Sequence, residues 1–316
     1  MKISIIGAGR TRNGIGEYIG KYFHQQGARV TSVLGTTEKT SLQACSALRK
    51  YGIEAHPYTD FNAMVSTEKP DAIVIASPSS THYEYLLKSI DSGLHIFCEK
   101  PFIWDDHTDS RKRIEDIFEN AREKKLVIAM NSQWPFSLDA YEGMCGKIKI
   151  QETRSFYMRM SPFSMGREMI PDSIPHPLSI LYCQLGEGEI KRLNFESGGE
   201  GNLDIRFTYL YGTGACSVLI KLVHQKTQPR EFAYGFNNRV ISRSLDLENY
   251  EIYFCYGNQK LRIADPLERC VENFLVSLEK NIEPLIGASH ILHNMSLLKK
   301  IDDGLGEFEK RALWKN

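Results

Sequence analysis

The chain has 316 residues, 42% of them hydrophobic and 25% charged, which is enough for two domains with cores of their own and excludes a disordered protein. Its 39 basic residues balance 39 acidic ones, so no net field recruits nucleic acid or an anionic membrane surface. Seven cysteines (45, 98, 145, 183, 216, 255 and 270), odd in number and without a C-x-x-C pair, argue against a disulfide framework and a structural zinc and fit a reducing compartment. No apolar stretch approaches the ~18 residues of a membrane span, and MKISIIGAG leads straight into a strand. A cytoplasmic, uncleaved chain with no nucleic-acid or membrane partner and no metal is expected.

Ile3 to Ile6 reads as a short buried strand, followed at once by Gly7-Ala8-Gly9 and then by a helical pattern from about Ile15 to Gly27. Glycines at such a turn let the backbone approach a pyrophosphate, and the free N–H groups of the following helix favour its charge. The spacing departs from G-x-G-x-x-G: Arg12 stands where the third glycine belongs, and Gly14 and Gly16 imply a loop about two residues longer. A glycine-rich turn that binds nothing is the competing reading. The second strand, Ala28 to Leu34, ends in Gly35-Thr36-Thr37-Glu38-Lys39, where a dinucleotide fold meets the adenosine ribose. The carboxylate that would accept from a 2′-hydroxyl is missing there, and the small hydroxyl residues with Lys39 suit a 2′-phosphate. NADP is therefore expected in preference to NAD, with Thr36, Thr37 and Lys39 as phosphate ligands and Arg10 or Arg12 assisting. Otherwise Lys39 merely begins the next helix.

The alternation continues through a helix at 39–51, strand 54–58, a helix at 61–66 and strand 72–76, which makes a doubly wound, mainly parallel sheet the natural assembly. Ser77 to Thr81 reads as a loop, Tyr83 to Ile90 as a helix and His95 to Cys98 as a strand that ends at Glu99-Lys100-Pro101. Ligands of open parallel sheets bind beyond the carboxyl ends of the strands, so Lys100 is placed to meet bound material. A helix at 108–124 and strand 127–130 follow, and Asn131-Ser-Gln-Trp-Pro135 closes the regular pattern. The boundary is drawn there: residues 1–130 bind the dinucleotide and residues 131–316 form a second domain.

Beyond Lys147 the segments 152–160, 203–211, 215–223, 230–235 and 251–256 read as strands, with Tyr211-Gly-Thr-Gly214 as a hairpin turn. One helix interrupts them at about 174–184, and helices near 267–280 and 289–308 close the chain. An α+β domain with a large, mostly antiparallel open sheet is implied, and its uncovered face favours a homo-oligomer, a dimer or tetramer.

Three elements resemble the glucose-fructose oxidoreductase / inositol dehydrogenase / MocA family along nearly the whole chain. They are the opening G-x-G loop, the block IASPSSTHYEYLLKSIDSGLHIFCEKP and Asp172-Ser-Ile-Pro-His176, which matches D-x-x-x-H. The chain departs from the family at Ser77-Pro78-Ser79 with His82, where Thr-Pro-Asn and then His is usual, and at Asn131-Ser-Gln133-Trp134-Pro135, which lacks the usual arginine.

The resemblance implies a Rossmann domain with Gly7, Gly9, Gly14, Gly35, Ser77, Pro78, Ser79, His82, Glu99, Lys100 and Asn131 around the cofactor. It also implies a cis bond before Pro101, Lys100 beside the nicotinamide and the reacting oxygen, and His176 as proton donor or acceptor. An imidazole is chemically suited to that task near neutral pH. Asp172, one turn before His176, would bind a substrate hydroxyl or pair with Lys100, or else cap a helix. Arg159 and Arg167 are candidates for an anionic group on the substrate, or for ordinary salt bridges. Gln133 and Trp134 are further substrate candidates, with Trp134 and Tyr157 stacking on a sugar or belonging to the core. The expected activity is hydride transfer between a nicotinamide and a hydroxyl, carbonyl or imine carbon of a small polar substrate such as a sugar or cyclitol. A redox-neutral enzyme with tightly held cofactor and a non-catalytic dinucleotide sensor are the alternatives.

Overall fold

Continuous apolar runs bounded by loops form the first sheet. In the computed structural model, which describes residues 1–9, 14–104 and 110–313, the strands β1 (Lys2–Ile6), β2 (Arg29–Leu34), β3 (His56–Tyr58), β4 (Ala72–Ile75), β5 (His95–Glu99) and β6 (Ile128–Asn131) pair in the order β3-β2-β1-β4-β5-β6. Every pairing is parallel. Residues 3–6, 72–75, 96–99 and 128–131 are all buried, as strands covered on both faces must be. The intervening helices α1 (Gly16–Gln25), α2 (Glu38–Arg49), α3 (Phe61–Glu68), α4 (His82–Asp91) and α5 (Ser110–Glu123) each turn an apolar stripe inward. In α1 that stripe is Ile19, Tyr22 and Phe23, and in α2 it is Ser41, Ala44, Cys45 and Leu48.

The residues separate into two compact units, 1–132 with 267–292, and 133–266 with 293–316. The sequence reading assigned 267–292 to the second domain, and the aromatic packing explains the difference. Phe274 of helix α9 (Pro266–Lys280) meets Phe23 of α1 at 6.0 Å and Phe97 of β5 at 5.4 Å, and the Met130 N–H donates to the Ile286 carbonyl. Burying these rings outweighs the sequence separation.

In the second unit, α6 (Leu138–Cys145), α7 (Met169–Ser173), α8 (Pro175–Leu185) and most of α10 (Ala288–Leu313) accompany an eight-stranded sheet. Its strands are β7 (Ser155–Met160), β8 (Gly188–Ser197), β9 (Asn202–Tyr211), β10 (Gly214–Val223), β11 (Phe232–Phe236), β12 (Arg239–Asp246), β13 (Glu251–Tyr256) and β14 (Gln259–Ile263), in the order β14-β13-β12-β11-β7-β10-β9-β8. Only β7–β10 is a parallel pair. One face buries Phe156, Met158, Ile205, Phe207, Tyr209, Val218, Ile220, Phe232 and Tyr234. The opposite face carries ion pairs instead: Lys221 with Asp204 at 2.9 Å, Arg206 with Glu196 at 3.3 Å, and Arg159 with Glu231. Strands β8, β12 and β14 were not foreseen. β8 and β14 are the two edges, where few residues point into a core, and β12 interrupts its apolar alternation with Arg243.

Candidate active site

In the first unit the candidate groups gather where the parallel strands end. Gly7, just past β1, has φ +84°, and a Cβ there would stand 2.6 Å from the Ser77 main chain beyond β4. Gly9 is as tightly placed, its Cβ position lying 2.6 Å from the Thr40 carbonyl in α2. Only glycine permits this approach of the β1 turn to its neighbours. Arg10 and Arg12 lie outside the described residues; the half-buried Gly14 precedes α1, whose amino end has no side-chain cap. Uncapped N–H groups at the start of a helix are donors for an anion.

Gly35 follows β2, and Thr36, Thr37 and Lys39 are all exposed. Thr37 is the N-cap of α2: its hydroxyl accepts from the Thr40 N–H at 3.2 Å while the Thr40 hydroxyl accepts from the Thr37 N–H at 3.1 Å. The hydroxyl is thus engaged locally, and Lys39 is the second residue of α2, at the start of the next helix as the competing reading had it.

Lys100 is half-buried one residue past β5, before a cis peptide bond to Pro101, the isomer the family resemblance implied. Beside it, buried Glu99 accepts from the Asn131 amide at the end of β6, and the other Asn131 side-chain atom, Oδ1, is a buried acceptor with no partner. His82, expected around the cofactor, braces the loops there. It is 1% exposed, its Nδ1 lies 2.9 Å from the Pro101 carbonyl and its Nε2 3.0 Å from the Ser77 carbonyl, joining the β4 and β5 loops. Pro78 and Ser79 form the short turn between, which the Thr81 hydroxyl closes onto Ser77 Oγ at 2.7 Å and the Pro78 carbonyl at 2.8 Å. Burial, seconded by the Glu99 charge, pushes the Cys98 and Cys270 thiols well above their ordinary values, so neither is a thiolate nucleophile. The φ of Gly7, the uncapped α1 and the orphaned Asn131 Oδ1 fit a dinucleotide laid over these strand ends.

In the second unit, Asp172 of α7 and His176 of α8 sit one turn apart, because Ile174 between the helices keeps helical angles of −65° and −28°. They therefore share a helix side. Asp172 does not cap α8, whose N-cap is Ile174; its Oδ2 accepts from Ser164 Oγ at 2.7 Å. His176 is 8% exposed. Its helix packs on the 3-10 turn of Trp134 to Ser137, where half-buried Gln133 is the leading residue. Trp134 is buried and stacked on Phe232 with ring centroids 3.7 Å apart, so one face of the indole is taken up in the core. Tyr157 is half-buried on β7, on the sheet face opposite Phe156.

The two arginines proposed from sequence as anion receptors are both engaged. Arg159 pairs with Glu231, and Arg167 makes a two-pronged contact with buried Asp302 of α10, Nε to Oδ1 at 2.7 Å and Nη2 to Oδ2 at 2.6 Å. A guanidinium whose fork already holds a carboxylate has little left for a ligand. Two residues the sequence reading missed stand at this site instead. Asn294 donates to the Pro175 carbonyl and to Ser179 Oγ, both at 2.8 Å, fixing the start of α8. Arg243 of β12 lies 5.6 Å from the Trp134 ring and 5.5 Å from the Phe232 ring. A buried polar residue inside an otherwise apolar helix stripe was the available signal for Asn294; none existed for Arg243.

The parallel order β3-β2-β1-β4-β5-β6 with a glycine turn at its central strand defines a nucleotide-binding Rossmann unit. Residues 1–132 match the model of the glucose-fructose oxidoreductase / inositol dehydrogenase / MocA oxidoreductase family, described as an NAD-binding Rossmann fold. D-glucoside 3-dehydrogenase of Escherichia coli (strain K12) is 26% identical over 162 residues, 49% of this chain and 43% of that protein. Inositol 2-dehydrogenase of Paracoccus denitrificans (strain Pd 1222) is 33% identical over 129 residues, 40% of this chain and 35% of that one. The matched part thus spans less than half of either relative. Among solved structures, UDP-N-acetylglucosamine 3-dehydrogenase GnnA from Acidithiobacillus ferrooxidans shares the fold with a TM-score of 0.70 at 15% identity, covering 95% of this chain and 96% of that one. An oxidoreductase from Agrobacterium radiobacter in complex with NAD+, L-tartaric acid and magnesium has a TM-score of 0.64 at 14% identity, over 95% and 94% of the two chains.

Proposed function

We propose that the protein is an NADP-dependent oxidoreductase that converts a hydroxyl to a carbonyl on a small polar substrate, a sugar, cyclitol or derivative, or runs the reverse reduction, including that of an imine. The observation that carries this reading is Lys100, set at the carboxyl end of β5 in a Rossmann unit that places glycine at its central turn. The names of the two relatives support the substrate class. Gly7, Gly9, Gly14 and the start of α1 would hold the pyrophosphate, Thr36, Thr37 and Lys39 the 2′-phosphate, and Asn131 the far end of the cofactor. Bound nicotinamide dinucleotide supplies the hydride acceptor or donor at C4.

Loss of hydride from a secondary alcohol requires the hydroxyl proton to leave, and His176 takes it; in reduction His176 returns it. The Lys100 ammonium stabilises negative charge developing on that oxygen. Asp172, already an acceptor for Ser164, orients a substrate hydroxyl with its second oxygen. Self-association uses the ion-paired sheet face, which sedimentation would report as a dimer or tetramer.

The test begins with titrations of NADPH and NADH, followed by energy transfer from tryptophan. NADPH binding at least ~10-fold tighter, about 1.4 kcal/mol, is expected, and preference for NADH would remove the phosphate site. In Lys100→Ala the rate of hydride transfer falls by about 10² to 10⁴ while NADPH still binds. Undiminished turnover would remove Lys100 from the chemistry.

A further inference from the structure

Ile291, Leu298 and Ile301 form the fully buried apolar side of α10, and Asn294 interrupts them at 0% exposure. Chemistry orients its amide. One atom lies 2.8 Å from both the Pro175 carbonyl and Ser179 Oγ, and since a carbonyl can only accept, that atom is the nitrogen. The other, Oδ1, is buried and accepts from no described residue. Leucine has nearly the same size, a better helix propensity and no polar atom to strand, so local stability favours it at this position. Neither acceptor would be stranded by the exchange, because the Pro175 carbonyl starts the ladder of α8 and a hydroxyl can turn elsewhere. What distinguishes asparagine here is the pair of bonds it donates.

Those bonds reach the turn that carries His176. The Pro175 carbonyl belongs to the planar peptide unit that ends at the His176 nitrogen, so holding it fixes where the His176 Cα stands. Local forces do this poorly. Pro175 and Pro177 have no N–H to donate back into α7, and α8 begins without a side-chain cap. The Leu178 N–H reaches the Ile174 carbonyl only at 3.3 Å. Residues preceding proline prefer extended angles, yet Ile174 keeps −65° and −28°, and His176, before Pro177, lies within α8. The first turn of α8 is therefore held from outside itself.

We propose that Asn294 is a positioning residue for His176: through the Pro175 carbonyl and Ser179 it locks the first turn of α8, and with it the imidazole. Turnover depends on placement more steeply than binding does, since displacing an acid–base group by about 1 Å costs on the order of 10²-fold in rate. Loss of the two bonds therefore acts on kcat and leaves KM nearly alone. This rests on the oxidoreductase reading above for the role of His176; the placement of its ring by Asn294 stands on the geometry of the second unit and is measurable without turnover.

The test labels the Cε1 carbons of the histidines in the full chain, assigns the His176 resonance among the nine by its loss in His176→Gln, and follows it by NMR. In Asn294→Leu the resonance is expected to move or split, and an unmoved resonance overturns the proposal. Phe308→Ala is the control: its ring packs on Phe195 at 5.9 Å, far along the same helix, so its loss should lower the urea midpoint and leave the His176 resonance in place. If Phe308→Ala displaces that resonance as Asn294→Leu does, the effect is a general loosening of α10 and the proposal falls. Where Asn294→Leu does not fold, Ser179→Ala removes one of the two acceptors; a smaller displacement is expected, and none overturns the proposal. With whichever of myo-inositol and D-glucose the protein oxidises with NADP+, kcat of Asn294→Leu should fall by about 10²-fold at an almost unchanged KM. A raised KM with kcat kept overturns the proposal. A displaced resonance in a protein that binds neither NADPH nor NADH would defeat the oxidoreductase reading alone, whereas full turnover with an unmoved resonance would defeat this one alone.

Discussion

In the parallel sheet the candidate site groups are mostly main chain, presented by loops that each begin where a strand stops; in the second unit they are side chains drawn from positions as distant as Trp134 and His176. The first arrangement depends on what is absent, a Cβ at Gly7 or a cap on α1, while the second depends on what is present, an indole stack and a guanidinium over it. His82 is the exception in the first unit, a side chain holding two loops by their carbonyls. Adding atoms should therefore damage one unit and removing them the other.

The largest effect is expected from Trp134→Ala, which empties the stack against Phe232 and should cost about 3–5 kcal/mol, seen as a lower urea midpoint. Trp134→Phe should recover most of it. A cost below ~1 kcal/mol would mean the indole is not a core element, and the contrast between the units would fail on that side.

Next comes Gly7→Ala, where a single methyl meets the Ser77 main chain at a left-handed φ. About 1–3 kcal/mol of strain is expected, with loss of NADPH binding out of proportion to the loss of stability. Unaltered cofactor affinity in a folded Gly7→Ala protein would show that the turn does not approach the dinucleotide.

The smallest effect is shared. His95 accepts the Val127 N–H at 3.0 Å and His293 accepts the Gly188 N–H at 3.4 Å, and burial lowers the pKa of both from the ordinary 6.5. The unfolded chain then binds protons that the folded one refuses, so stability is complete above about pH 6.5 and declines as pH falls below it. Melting temperatures at pH 7.5 and 5.5 should show the decline, and His95→Asn and His293→Asn should each reduce it. If one substitution alone abolishes it, the acid sensitivity belongs to a single unit.

The same contrast governs how much was readable from sequence. Strand ends, glycine turns and Lys100 were legible because a parallel unit repeats strand, loop and helix in order, so that chain position implies spatial position. Asp172 and His176 were singled out by their resemblance to D-x-x-x-H, and only their shared helix side was legible through a local spacing. Arg243 was not, since nothing local distinguishes an inward arginine from an outward one in R-V-I-S-R-S, and the strand itself went unrecognised. Arg167 misled for a related reason: its partner Asp302 lies 135 residues away. Helix α9 misled through its position, as only the ring contacts of Phe274 reveal the sheet to which it belongs.

Asn294 and Asp302, both on α10, hold the start of α8 and the turn before α7. During synthesis the segment containing Asp172 and His176 is thus made more than a hundred residues before the groups that fix it. A nascent chain therefore carries these candidate residues without their α10 contacts until that helix emerges, which ties the completed shape of the segment to the arrival of α10 and not to the translation of the residues themselves.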